Sequence, residues 1–146
     1  MPQRTAEAAW SGDLRGGSGI MRFGSGAFQG SYSYESRFGD GAGTNPEELI
    51  AAAHAGCFSM ATASALSRAG HPPRRIATKA TVHIEKGDAG FKIQRIELEM
   101  DAEVDGIAES DFMKIAEEAK KTCPVSRALA AVPEIQLTAR LRQKTV

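Results

Sequence analysis

Five residues of this sequence carry side chains that can do chemistry together: Cys57, Cys123, His54, Arg37 and Glu47. Cys57 lies near the end of "NPEELIAAAHAGCFSM" (Asn45 to Met60), with Gly56 before it and His54 three residues back. The second cysteine, Cys123, stands in "KKTCPVSRAL". The pair admits two readings. Both can be small buried hydrophobes, which is common for free cysteine. Alternatively they form a redox pair, in which one thiolate attacks an oxidised substrate and the other resolves the product as a disulfide.

The redox reading needs Cys57 as a thiolate near neutral pH. A free thiol ionises at about 8.5, and burial in apolar surroundings raises that value. A helix starting at Pro46 puts Cys57 about three turns inside, beyond the first turn where the helix dipole acts. From Glu47 to Ser67 there is no Lys or Arg. A stabilising cation must therefore come from another part of the fold, and Arg37, in the loop before the helix, is best placed. Gly56 offers a second route, if it breaks the helix and gives Cys57 a fresh N-terminus. His54 shares a face with Cys57 at i, i−3. It is either the base or ion-pair partner of a Cys–His enzyme, or a packed, hydrogen-bonded side chain. Glu47 lies about 15 Å from Cys57 along one straight helix and about 80° around it, so the two cannot touch there. It reads as a plain helix-N-terminal acid, as a holder of an arginine guanidinium, or as a group acting across a dimer interface.

The elements that must position these residues follow from local patterns. Pro46 at a first helical position, with Asn45 or Thr44 as cap and Glu47 and Glu48 in the first turn, starts a helix. It runs to about Ala69 and stops at Gly70. Its apolar residues surround it on most sides, so it is expected to be buried on most sides, with a second subunit as one source of the covering surface. The Gly- and Ser-rich first 44 residues carry spaced aromatics, Phe23, Phe28, Tyr32, Tyr34 and Phe38, which indicate a packed meander with strands at Ile20–Phe23 and Phe28–Tyr34. "FGDGAGTNP" reads as a loop. "RRIATKATVHIEK" and "FKIQRIELEMDAEV" alternate apolar and polar residues around "GDAG", an antiparallel hairpin. "SDFMKIAEEAKKTCP" is a second helix capped by Ser110, with Cys123 on its apolar stripe. A short helix after Pro124 and a closing strand, "EIQLTARL", complete the order β-β-α-β-β-α-β, an α+β domain.

Composition narrows the function classes. At 146 residues, with 18 basic and 18 acidic side chains, the chain fits one domain, residues 1–146, with no broad basic surface for nucleic acid. The longest apolar-rich run, Leu49 to Leu66, is interrupted by His54, Ser59, Thr62 and Ser64, and is not expected to span a membrane. The N-terminal residues lack the apolar core of a secretory signal. A cytoplasmic protein is expected, in which two cysteines are free thiols, metal ligands or redox groups rather than structural disulfides. No CxxC, HxxxH or HExxH spacing suggests zinc.

The stretch "SRFGDGAGTNPEELIAAAHAGCFSMA", followed by "KKTCPVSRAL", resembles the OsmC/Ohr family of thiol-dependent peroxidases. "AEAAWSGDLRGGSGIM" and "DAGFKIQRIELEMDAEVDGI" extend the similarity over nearly the whole chain. The "SRF…TNPEEL" context favours the OsmC branch, whose arginine precedes "TNPEEL", over the Ohr branch, whose arginine lies nearer the N-terminus, where Arg15 stands. The resemblance implies an OsmC-like fold of antiparallel sheets around a long buried central helix, in an intertwined homodimer. It implies Cys57 as the peroxidatic cysteine, Cys123 as the resolving cysteine, Arg37 as the group stabilising thiolate and substrate, and Glu47 as the residue orienting Arg37. It further implies reduction of organic hydroperoxides, and more weakly of hydrogen peroxide, in oxidative or osmotic stress. An external dithiol, such as a lipoyl protein, would serve as reductant, with no bound cofactor or metal. Gly56 departs from the alanine usual there. Two alternatives stay open: a family member that binds an apolar ligand or partner while its thiols do little, and a Cys–His acyl-transfer enzyme that needs His54 at Cys57.

Overall fold

The structure is a computed structural model and describes residues 1–144. The chain forms two compact units, the first Met1–Leu49 and the second beginning at Ile50.

In the first unit, β1 (Ala6–Ser11), β2 (Ser18–Phe23) and β3 (Gln29–Tyr32) form an antiparallel sheet in that order. The aromatics pack in pairs, as a meander requires: Phe23 on Phe28 at 5.0 Å, Trp10 on Tyr32 at 5.3 Å and Tyr34 on Phe38 at 5.0 Å between ring centroids. Two elements differ from the sequence reading. β1 forms from a stretch with no strand signal in the sequence, and all six of its residues are exposed. The strand expected over Phe28–Tyr34 stops at Tyr32, and a short helix, α1 (Tyr34–Phe38), precedes the expected loop, its start closed by a reciprocal capping box between Ser33 and Ser36. The chain then returns to the sheet, where Thr44 N–H donates to Ser31 C=O at 2.8 Å and Ser36 Oγ donates to Thr44 C=O at 2.7 Å. Gly43 makes this return possible. Its φ is +119°, and a Cβ there would come within 2.6 Å of the Ser31 carbonyl.

Helix α2 (Pro46–Arg68) starts where the sequence predicts. Asn45 Oδ1 accepts the Glu48 N–H at 2.8 Å, and Pro46 occupies the first position. The helix continues unbroken through Gly56, so Cys57 gains no second N-terminus. His54, Phe58, Thr62 and Leu66, four residues apart, form a stripe with no exposed surface. The other faces are less covered in the single chain than expected; Met60 is 76% exposed. By length and composition α2 is also apolar enough to cross a membrane. Its buried stripe instead joins the second unit's core.

The second unit adds β4 (Arg75–Gly87), β5 (Gly90–Glu103), α3 (Glu109–Thr122), α4 (Pro124–Ala128) and β6 (Glu134–Arg142). β4 and β5 are the predicted antiparallel hairpin. β6 pairs with β5 in parallel, so this sheet is mixed rather than antiparallel. A parallel return needs a crossover, and α3 and α4 supply it. Ile96, Leu98, Met100 and Ala102 project from one face of β5 into a core shared with Phe58, Leu66, Phe112, Ala116 and Ala119. Helix α3 starts two residues earlier than expected. Ala108, not Ser110, is at its N-cap, with no side-chain capping bond. The architecture is α+β, two three-stranded sheets with helices.

Candidate active site

Cys57 and Cys123, 66 residues apart in sequence, lie 3.2 Å apart sulfur to sulfur, both as free thiols. Cys57 projects from α2 and is partly buried. Cys123 is fully buried between α3 and α4. Pro124 ends α3 and starts α4, and this break turns Cys123 Sγ toward the following backbone. There it accepts the Ser126 N–H at 3.5 Å.

The two sulfurs are inequivalent. Burial pushes the Cys57 thiol up. A backbone hydrogen bond at Val125 opposes this, and proximity to Cys123 adds to it. Burial also pushes the Cys123 thiol up, but hydrogen bonds from the Ser126 backbone, from Cys57 and from the Ser126 side chain outweigh it, leaving the thiol below its ordinary value. The two thiols are close enough to titrate as a pair, and within this unit the Cys57 thiol is held above and the Cys123 thiol below its ordinary value. The sequence reading put the thiolate on Cys57. Favouring it there requires a cation; α2 carries none from Glu47 to Ser67, and its one basic residue, Arg68, lies in the last turn.

His54 does not bond Cys57. Its Nε2 lies 2.7 Å from Ser126 Oγ, and the imidazole has no exposed surface. Burial pushes its pKa down, so the ring is neutral near pH 7. The Cys–His reading, in which His54 serves Cys57, is therefore not supported by this geometry. Sequence reasoning did not single out Ser126, which sits 72 residues from His54. The available signal was a hydroxyl three residues after Cys123, at the spacing of a cap.

In the first unit, Arg37 and Glu47 form a bidentate pair. Arg37 Nη2 donates to Glu47 Oε1 at 2.7 Å, and Nε donates to Oε1 at 3.1 Å and Oε2 at 3.2 Å. Glu47 is buried while Arg37 keeps 36% of its side chain exposed, so the carboxylate is the anchor and the guanidinium the presented group. Arg37 borders an open groove of about 300 Å³ with Trp10, Leu14, Tyr32, Tyr34 and Phe38. Arg15 lies 4.7 Å above the ring of Tyr34, one of the groove residues. Phe38 lines this groove, whereas Phe58 belongs to the core of the second unit.

The four expected site residues thus form two pairs, Arg37–Glu47 in the first unit and Cys57–Cys123 in the second. One offers a held cation beside an apolar groove, and the other a dithiol at bonding range. Among the described residues no group of three or more His, Cys, Asp and Glu is placed to hold a metal ion.

A family model for OsmC-like proteins matches residues 39–138, which include Glu47, Cys57 and Cys123 and begin just after Arg37. The chain is 45% identical over 140 residues to Peroxiredoxin OsmC of Escherichia coli (strain K12), spanning 95% of this chain and 96% of that protein. Two solved structures share the fold. A Legionella pneumophila organic hydroperoxide resistance protein OsmC has 22% identity and a TM-score of 0.70, over 93% of this chain and 96% of that one. The organic hydroperoxide resistance protein OhrB of Bacillus subtilis has 20% identity and a TM-score of 0.66, over 94% and 98%.

Proposed function

The chain belongs to the OsmC-like protein family, and from that premise we propose that it is a thiol-dependent peroxidase that reduces organic hydroperoxides to alcohols through Cys57 and Cys123. The observation that carries this reading is the 3.2 Å approach of two free thiols. In the first step the Cys57 thiolate attacks the terminal peroxide oxygen. The O–O bond breaks, the alkoxide takes a proton and leaves as alcohol, and Cys57 becomes a sulfenic acid. Cys123 then attacks the Cys57 sulfur, the S–O bond breaks, and the hydroxide departs as water with the proton from Cys123. A disulfide remains, which an external dithiol, small or lipoyl-borne, reduces. A second thiol at this range protects the sulfenic acid from further oxidation.

Arg37 supplies the cation that shifts the thiolate onto Cys57 and stabilises the departing oxygen. Glu47 fixes the guanidinium, and the groove beside Arg37 receives the alkyl group. Hydrogen peroxide lacks that group and reacts more weakly. The working form is an intertwined homodimer of one domain, residues 1–146, in the cytoplasm, with no bound cofactor or metal. Support for the dimer comes from burial. Among the described residues the buried apolar side chains all lie between Phe58 and Cys123, so the first unit has no such core of its own, and α2 leaves Met60 open. Apolar surface of this kind is covered by association.

The test is turnover of cumene hydroperoxide with a dithiol in excess. The reading expects consumption that Cys57→Ser abolishes, and slower consumption of hydrogen peroxide. Unchanged consumption by Cys57→Ser would overturn it, and no consumption by the parent would favour a fold that binds apolar partners without thiol chemistry.

A further inference from the structure

His54 is the one fully buried imidazole among the described residues, and the proposed peroxide step has no use for it. Its only hydrogen bond among the described residues is from Nε2 to Ser126 Oγ at 2.7 Å, and Nδ1 has no partner there. Orphaned buried N–H groups are rarer than orphaned acceptors. The proton of the neutral ring therefore sits on Nε2, and Nδ1 keeps a bare lone pair. Nε2–H then donates to Ser126 Oγ. Ser126 thereby joins His54, at its hydroxyl, to Cys123, whose Sγ takes the Ser126 N–H at 3.5 Å.

We infer that His54 is a positioning residue for the second half of the cycle: through Ser126 it holds Cys123 as the nucleophile that closes the disulfide onto Cys57. This rests on the two-cysteine reading above. The titratable groups that bear on Cys123 are Cys57 directly and His54 through Ser126, both on α2. In the step concerned, Cys123 sulfur attacks Cys57 sulfur and hydroxide leaves. The Ser126 N–H on the attacking sulfur favours its ionised form, and a hydrogen bond to a charged group is a substantial contribution.

The test uses Cys57→Ser, in which Cys123 is the only cysteine, so that ultraviolet thiolate absorbance against pH reports Cys123 alone and needs no access to the buried sulfur. Adding His54→Leu is expected to cut the thiolate fraction on the rising part of the curve about tenfold, one unit of midpoint. His54→Gln, which keeps an N–H donor at the end of the side chain, restores most of it. In the two-cysteine protein His54→Leu leaves the rate of sulfenic acid formation unchanged and slows disulfide closure about tenfold. Ser126→Ala gives the same two shifts and serves if His54→Leu does not fold. A His54 with a packing role alone would lower stability and leave the titration unmoved, and that result overturns the inference. Failure of Cys57 to form a sulfenic acid in the parent would instead strike the peroxidase reading, and the Cys123 titration would still decide the role of His54.

Discussion

Glu47→Gln separates a helix-end acid from a residue that holds the catalytic cation. The substitution keeps size and one oxygen but removes the charge, and it turns an amide N–H2 toward guanidinium donors. Three contacts at 2.7, 3.1 and 3.2 Å are affected. Sheltered hydrogen bonds to charged groups contribute about 1.5–3 kcal/mol each. Arg37 is 36% exposed, however, and solvent screening brings the whole pair to about 1–2 kcal/mol. If that energy holds the guanidinium where the leaving oxygen develops charge, the second-order rate of sulfenic acid formation falls roughly five- to thirtyfold. Single-turnover mixing of reduced protein with cumene hydroperoxide measures this rate. Disulfide closure, which follows, should not change. Glu48→Gln is the control, since Glu48 is exposed and accepts from Thr44 Oγ1 rather than from an arginine. A Glu47→Gln rate within twofold of the parent, alongside a collapse in Arg37→Ala, would refute the orienting role.

Three further outcomes follow from the same structure. Phe112→Ala, at a position with no exposed surface in the second unit's core, is expected to cost about 3–5 kcal/mol, read from the urea midpoint; a cost below about 1 kcal/mol would contradict the packing described. Gly43→Ala forces a Cβ to within 2.6 Å of the Ser31 carbonyl at a φ of +119°, and a loss of roughly 1–3 kcal/mol is expected by the same measurement. Cys57, raised by burial, stabilises the fold fully below the unfolded thiol value of about 8.5 and loses that contribution as pH rises through its folded value. Between pH 8 and roughly 10, the parent should therefore lose more stability than Cys57→Ser; parallel curves would contradict the shift.

How much of this was legible depended on whether a pattern was local. The alternation of Ile96, Leu98, Met100 and Ala102 fixes which face of β5 is buried, and Asn45-Pro46 fixes where α2 begins, because both signals are complete within a few residues. Strand direction is not encoded in alternation, so the parallel pairing of β6 with β5 could not be read from "EIQLTARL". β1 escaped notice because "AEAAWS" is rich in alanine, a weak strand former, and buries nothing in its own chain. α1 is five residues long, and its capping box uses Ser36 where a glutamate would be the recognisable partner. Both cysteines and the Arg37–Glu47 pair were reached from residue types and a family resemblance. The bond from His54 to Ser126 joins residues whose separation carries no periodic signal, and helical spacing pointed His54 at Cys57 instead.

The central claim is that Cys57 and Cys123 form one redox pair. Its most direct test is intact mass under denaturing conditions, after one equivalent of cumene hydroperoxide is added to the reduced protein and remaining thiols are alkylated. The account predicts loss of two hydrogens with both thiols blocked, and no reaction in Cys57→Ser. Two free, alkylated thiols after the same treatment would contradict it and return both cysteines to the core.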